Sequence, residues 1–297
     1  MQVINSIKKM RGISCQLKCQ NKTIGFVPTM GYLHKGHLSL VRKARSENDF
    51  VVLSIFVNPP QFGPTEDYNN YPRDFKRDKN LAEKEKVDCI FYPSTKNMYP
   101  EKYKTYVVVE ELSGRLCGLY RQGHFKGVAT IVSKLFNIVA PNTAYFGQKD
   151  AQQTVVIKQM AQDLNFPVKI KIVPTLREKD GLAMSSRNKY LSPVQREESV
   201  VLHDALKKAE QLVKKGITNA AKIKNLIKKM IEAKKTAKIE YVEIIDSQSL
   251  KPVKKIGAKT LIAVACYFGK ARLIDNIIVA APSVCGRQAR KTKDCII

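Results

Sequence analysis

The sequence predicts an α/β protein in two domains, a doubly wound parallel sheet followed by a smaller α+β unit. Two observations carry this. Between residues 24 and 175, short β-branched runs alternate with amphipathic stretches, the pattern of parallel strands joined by helical crossovers. After residue 190 the alternation stops, and two long helical stripes precede a set of strand-like runs. The length, 297 residues, suits two domains that each bury a core.

In chain order, strands are expected at Ile24 to Val27, Val51 to Val57, Cys89 to Tyr92, Tyr106 to Val109, Thr143 to Phe146 and Val168 to Val173. Helices are expected at His37 to Arg45, Asp74 to Lys86, Gly127 to Val139 and Gln152 to Leu164. Such an arrangement is Rossmann-like, and ligands of such sheets bind at the carboxyl ends of the strands. In the second domain, Ser192-Pro193-Val194-Gln195 combines an N-cap Ser, Pro at the first helical position and Gln three residues after the cap. Apolar residues then recur at Val201, Leu202, Ala205, Leu206, Ala209, Leu212 and Val213, and again at Ile223, Leu226, Ile227, Met230 and Ile231. Strands follow at Ile239 to Ile245, Thr260 to Phe268 and Arg272 to Val279. The expected boundaries are 1–175 for the sheet domain, 176–281 for an α+β lid domain that carries the Met184-Ser185-Ser186-Arg187 loop, and 282–297 for a basic, frayed tail.

Composition narrows the function classes. No stretch approaches the ~18 apolar residues of a membrane span, and Met1 to Gly12 lacks the features of a secretory signal, so a cytoplasmic protein is expected. Seven cysteines, with Cys15 and Cys19 lacking a second pair to complete a zinc site, read as reduced thiols. The formal charge of +26 invites a nucleic-acid reading. Its distribution argues otherwise: residues 1–175 carry 26 basic and 14 acidic side chains, residues 176–297 carry 26 and 12, and Lys outnumbers Arg about three to one. The pairs Lys207-Lys208, Lys214-Lys215, Lys228-Lys229 and Lys234-Lys235 fall on the outer faces of expected helices, and Lys is a poor bidentate reader of bases. No specific nucleic-acid partner is expected.

Chemistry concentrates in two loops. Gly25 to Leu38 runs from a strand through a Gly-punctuated turn into a helix, with His34 and His37 at the helix start. Free backbone amides and the positive end of the helix dipole favour an anion there, and imidazoles can donate to phosphoryl oxygens. The second loop, Glu178 to Asn188, contains Met184-Ser185-Ser186-Arg187. It resembles the Lys-Met-Ser-Lys-Ser loop that partners His-x-Gly-His in nucleotidylyl transferases and class I aminoacyl-tRNA synthetases. Hydroxyls and a cation on such a loop suit the β- and γ-phosphates of a nucleotide. Three further segments, Phe56 to Gly63, Gly123 to Val128 and Phe146 to Gln153, place polar groups next to expected strands and helices.

Taken in order, these motifs resemble the pantothenate synthetase (pantoate–β-alanine ligase) family from about Val3 to Val279: Pro-Thr-Met-Gly-x-Leu-His-x-Gly-His, Phe-Val-Asn-Pro-x-Gln-Phe, Gly-His-Phe-x-Gly-Val, Phe-Gly-x-Lys-Asp and Asp-Gly-Leu-Ala-Met-Ser-Ser-Arg-Asn. The resemblance implies an AMP-forming ligase that joins pantoate to β-alanine through pantoyl adenylate, with ATP as substrate and Mg²⁺ held mainly by its phosphates. It implies ATP contacts along Met30, Gly31, Tyr32, Leu33, His34, Lys35, Gly36 and His37, along Gly147, Gln148, Lys149 and Asp150, at Leu176, and along Met184, Ser185, Ser186 and Arg187. His37 is the implied proton donor; His34, Lys149, Ser185, Ser186 and Arg187 assist at the phosphates. Pantoate falls to Gln61 and Gln153, and β-alanine also to Gln61. An amide suits this task because it both donates to a carboxylate and accepts from hydroxyls. No dedicated protein metal site is expected, and family members are homodimers through the first domain. Gln148 departs from the Glu that many relatives carry, and Lys35 adds a cation inside the His loop. Two other readings stay open on the residues alone. A nucleotidylyl transferase acting on a phosphorylated acceptor explains the His and Ser-Ser-Arg loops but not Gln61 with Gln153, and a basic nucleic-acid module explains only the charge.

Overall fold

A computed structural model describes residues 1–64 and 66–282, and the chain divides into two units between Leu191 and Ser192. In the first, six strands lie parallel in the order β1-β4-β3-β2-β5-β6. They are β1 (Gln2–Ile4), β2 (Ile24–Thr29), β3 (Phe50–Ile55), β4 (Cys89–Phe91), β5 (Thr143–Gly147) and β6 (Lys169–Val173). Helices α1 (Ile7–Cys19), α2 (Lys35–Arg45), α3 (Phe75–Lys84), α6 (His124–Val139) and α7 (Ala151–Asp163) cover the sheet, with the short α4 (Thr95–Met98) and α5 (Cys117–Tyr120) between them. They pack in two groups, α1 and α7 against α6, and α3 against α2. A parallel sheet covered in this way needs strands that are apolar on both faces. Phe26, Val27, Val51, Val52 and Leu53 are all fully buried. From α2, Leu38, Val41 and Ala44 join Val51, Leu53, Ile55 and Tyr145 in one core cluster.

The chain builds outward from β2 in both directions, through β3 and β4 on one side and β5 and β6 on the other. The switch point therefore lies between β2 and β5, whose carboxyl ends lead into the His34 and Lys149 loops.

The structure departs from the sequence reading at three points. Tyr106 to Val109 is not a strand: it has no ladder partner, Val107 donates its amide to Thr130 Oγ1 on α6 at 2.9 Å, and Tyr106 and Val108 are exposed. Its β-branched run covers a helix instead of joining the sheet. β1 and α1 have no counterpart in the sequence reading. Only Met10, Ser14 and Leu17 of α1 are buried, a narrow stripe among polar residues, while Ser6 caps its start by accepting from Lys9 N–H. Finally, the division falls at 191, not 175. Residues 176–191 form a tight turn of their own, with Glu178 N–H bonded to Leu182 O and Gly181 at φ +98°, and then hold to the first unit through Arg187–Asp67 and Tyr190–Asn70. Lacking an apolar stripe, this stretch gave no periodic sign of where it packs.

The second unit opens with α8 (Pro193–Glu198), whose Ser192–Gln195 capping box forms as its sequence requires. α9 (Val201–Lys214) and α10 (Ala220–Glu232) follow, and then an antiparallel sheet of β7 (Ala237–Asp246), β8 (Thr260–Phe268) and β9 (Ala271–Val279) in the order β7-β8-β9. The expected stripes face inward: Val201, Leu202, Ala205, Leu206, Ala209 and Val213, and Ile223, Ile227 and Ile231, are buried. Beyond Pro282 the tail lies outside the described residues. Among the described residues no helix is long and apolar enough to cross a membrane.

Candidate active site

The loop leaving β2 is turned by two consecutive left-handed residues, Gly31 at φ +82° and Tyr32 at φ +50°. A Cβ on Gly31 would lie 2.9 Å from Ile55 Cγ2 and 3.0 Å from Asp78 Oδ2, so both backbone and space demand glycine. Asp78, on α3 and almost wholly buried, fixes the turn by accepting the Tyr32 and Leu33 amides at 2.6 and 2.7 Å. Burial raises its carboxyl against the opposing pull of these two bonds. Thr29 adds a further clasp, donating to Ser54 O at 2.8 Å and accepting from Gly31 N–H at 3.1 Å.

The two histidines then cap α2 reciprocally. Gly36 N–H donates to His34 Nδ1 at 3.1 Å, and His34 N–H donates to His37 Nδ1 at 3.3 Å. A backbone amide can only donate, so each Nδ1 is an acceptor and each neutral ring carries its proton on Nε2. The rings lie 4.0 Å apart. A Cβ on Gly36 would sit 2.8 Å from His34 Cε1, which explains the glycine between them. Burial, then the charge of Lys149, lowers the His34 imidazole to about 4. His37 is held well below the ordinary range by burial, then His34, then Lys149. The site thus presents two neutral N–H donors beside a lysine.

These groups line a cleft of about 240 Å³ at the carboxyl edge of the sheet. Of the residues expected from sequence, Met30, His34, Gly36, His37, Gln61, Gly147, Lys149, Asp150, Gln153, Leu176, Met184, Ser185, Ser186 and Arg187 line it. Gly31, Tyr32, Leu33, Lys35 and Gln148 do not. Gly31 and Tyr32 border a neighbouring depression, Leu33 is core, and Lys35 is exposed. The two motif loops meet here, Met184 Cβ lying 3.7 Å from where a Cβ on Gly36 would be.

Gln61 ends a 3₁₀ turn, Pro59–Gln61, and is held by groups the sequence reading left without a role. Asn58 Nδ2 donates to Gln61 Oε1 and to Gly127 O, each at 3.1 Å, while Tyr99 Oη donates to Asn58 Oδ1 at 2.7 Å. With its oxygen engaged, Gln61 offers Nε2, 2.9 Å from Met30 Sδ. Arg121 donates to His124 Nε2 at 3.1 Å, so His124 Nδ1–H donates to Gln61 O at 2.7 Å. His124 therefore orients the Gln61 backbone and also lines the cleft. Gln152 and Gln153 divide their work: Gln152 is buried and bonds Cys117 N–H, Leu112 O and Arg115 O, leaving Gln153 to the cleft. Asn58, Asp78, Tyr99 and Arg121 were missed. Asn58 shares a motif with Gln61 and was the one within reach of sequence reasoning. Asp78 acts across 46 residues of chain with no local sign.

Residues 2–278 match the model of the family described as pantoate-beta-alanine ligase. The chain belongs to that family. Among pantoate–β-alanine ligases it is 57% identical over 279 residues to the pantothenate synthetase of Caldicellulosiruptor saccharolyticus, covering 94% of this chain and 99% of the relative. Its identity to that of Thermotoga petrophila is also 57% over 279 residues, covering 94% and 100%. A crystal structure of pantothenate synthetase from Thermus thermophilus superposes with a TM-score of 0.89 at 44% identity, covering 94% and 100%. That of the pantoate-beta-alanine ligase from Francisella tularensis, complexed with beta-gamma ATP and beta-alanine, gives 0.78 at 37%, covering 94% and 97%. The ligase class and fold expected from the motifs are those of these relatives, and the alternative of a transferase acting on a phosphorylated acceptor is not favoured.

Proposed function

We propose that the cleft joins pantoate to β-alanine with ATP as the activating substrate, through pantoyl adenylate. The observation that carries this is the convergence of two neutral Nε2–H imidazoles, Lys149 and the amides Gln61 and Gln153 on one cleft at the switch point of the sheet. A carboxylate is a poor acyl donor to an amine and must first be activated. A pantoate carboxylate oxygen attacks the α-phosphorus, forming a P–O bond as the bond to pyrophosphate breaks. The β-alanine amine then attacks the acyl carbon, forming the amide, losing a proton and expelling AMP.

His37 and His34 donate to phosphate oxygens as charge builds on the leaving pyrophosphate, with Lys149, Ser185, Ser186 and Arg187 sharing that charge. His37 is the proton donor of this reading. Met30, Gly36, Gly147, Asp150, Leu176 and Met184 border the nucleotide. Gly31, Tyr32, Leu33, Lys35 and Gln148 shape or flank its loops. Gln61 and Gln153 take pantoate, and Gln61 also takes β-alanine. Magnesium enters with the triphosphate as part of the substrate and neutralises it. Mg²⁺ prefers oxygen ligands and keeps several waters, which suits an ion carried by phosphates.

The reading includes a homodimer formed through the first unit and a cytoplasmic location. Among the described residues, Cys15, Cys19, Cys89 and Cys266 are free thiols, which suits a reducing compartment. Sedimentation velocity tests the dimer. The decisive assay supplies ATP, Mg²⁺ and pantoate with and without β-alanine, following AMP, pyrophosphate and product mass. Pantothenate that appears only with all substrates is the expected result. Folded protein that gives none would overturn the reading.

A further inference from the structure

Two adjacent carboxylates are committed to two arginines from distant parts of the chain. Glu66 takes Arg121 at two points, Nε at 2.7 Å and Nη2 at 2.5 Å, and Asp67 takes Arg187 through one Nη2 bond at 2.9 Å. Both guanidiniums line the cleft, whereas Glu66 and Asp67 stand outside its lining. The carboxylates therefore hold the arginines from behind.

The segment that carries Asp67 also grips the phosphate loop at further points. Tyr71 hydrogen-bonds Ser186 and lies 6.0 Å beneath the Arg187 guanidinium, and Tyr190 Oη donates to Asn70 O at 3.3 Å. The two arginine contacts differ in kind. Arg121–Glu66 is a two-point fork, geometrically selective and hard to exchange. Arg187–Asp67 is a single bond between side chains that each keep 27% of their surface open to water. One such bond leaves most of the five guanidinium N–H groups available to another anion.

We propose that Asp67 is an exchangeable counter-ion for Arg187: it holds the guanidinium in position in the free enzyme and yields it to the phosphates of ATP. Asp67 is thus a positioning residue that competes with phosphate, and it sets nucleotide affinity and pyrophosphate release through Arg187. This rests on the reading of the cleft as an ATP site with Arg187 at the phosphates. A triphosphate outbids a carboxylate because it brings several negative charges and many more acceptor oxygens to the same fork. After the α-phosphorus bond breaks, the returning carboxylate helps to displace pyrophosphate.

The test is steady-state kinetics on full-length Asp67→Asn, which keeps side-chain size and removes the charge. KM for ATP and the inhibition constant of pyrophosphate are both expected to fall, by about fivefold, the effect of one partly exposed ion pair. KM for pantoate stays at the wild-type value. Asp67→Glu restores the charge and returns both constants toward wild type. In an Arg187→Ala background, adding Asp67→Asn lowers neither constant. A folded Asp67→Asn enzyme with unchanged or raised KM for ATP would overturn the proposal, and if that variant melts below the assay temperature, Asp67→Ser is judged by the same criterion. Wild-type enzyme that makes no pantothenate would instead sink the functional reading itself.

Discussion

Two imidazoles 4.0 Å apart beside Lys149 do not both carry charge at neutral pH, and burial keeps them neutral. The pH dependence of stability follows. Between the ordinary value of 6.5 and the His34 value of about 4, the unfolded chain binds protons that the folded chain refuses. Stability is fully present above the first value and falls as pH drops through that window. Denaturant midpoints are therefore expected to decline from pH 7 to pH 5, and the decline flattens in a His34→Gln/His37→Gln variant. An equal decline in that variant would place the titrating groups elsewhere. For catalysis, His37→Ala is expected to lower kcat by roughly 10²–10³, the usual loss for one electrostatic donor, with an unchanged circular dichroism spectrum. A near-normal rate would remove His37 from the mechanism. The two histidines were legible in the sequence because they sit three apart at a helix start and a second motif loop, Met184 to Arg187, points to the same chemistry. Their tautomers were not, since these depend on which amides the folded turn aims at each ring.

At the scale of elements, the loop chemistry depends on supports that act at a distance. Asp78 on α3 pins the turn before α2, and its replacement by Asn sets an amide NH₂ group against one of two backbone donors. Leaving one buried N–H unsatisfied costs ~1–3 kcal/mol. Asp78→Asn is expected to lower the melting temperature and reduce kcat, and full activity would show that the turn holds itself. Gly127 supports the other wall. A Cβ there would lie 2.5 Å from Gln61 N and 2.5 Å from Pro60 C, where neither backbone can yield cheaply. Gly127→Ala is expected to destabilise by about 1–3 kcal/mol, as overpacking does, and to raise KM for pantoate more than for ATP. Equal effects on both would detach the α6 contact from the acid pocket. The sequence reading found α6 from its periodicity but began it at Gly127. The helix starts at His124, where left-handed Gly123 provides the entry. Tyr106 to Val109 misled because β-branched residues laid over a helix look the same in sequence as residues paired in a sheet.

For the whole molecule, the sheet alternation and the helical stripes were legible because burial on a fixed period leaves a mark on every turn. The unit boundary was read too early because residues 176–191 attach through ion pairs and aromatic contacts, which have no period. The paired lysines of the second unit lie toward the surface: Lys207, Lys208, Lys214, Lys215, Lys229 and Lys235 are exposed, and Lys228 and Lys234 are half-buried. The protein is accordingly expected to bind phosphocellulose at low ionic strength and to leave it with moderate salt, without sequence preference for any nucleic acid. Retention that survives high salt would point to a specific site. The division at Leu191 also bears on how such enzymes can be recombined. Among the described residues, every group that borders the cleft, from Pro28 to Arg187, is encoded before that point. A chimera with a relative, exchanged at the junction of residues 191 and 192, would inherit all of this described cleft lining from one parent.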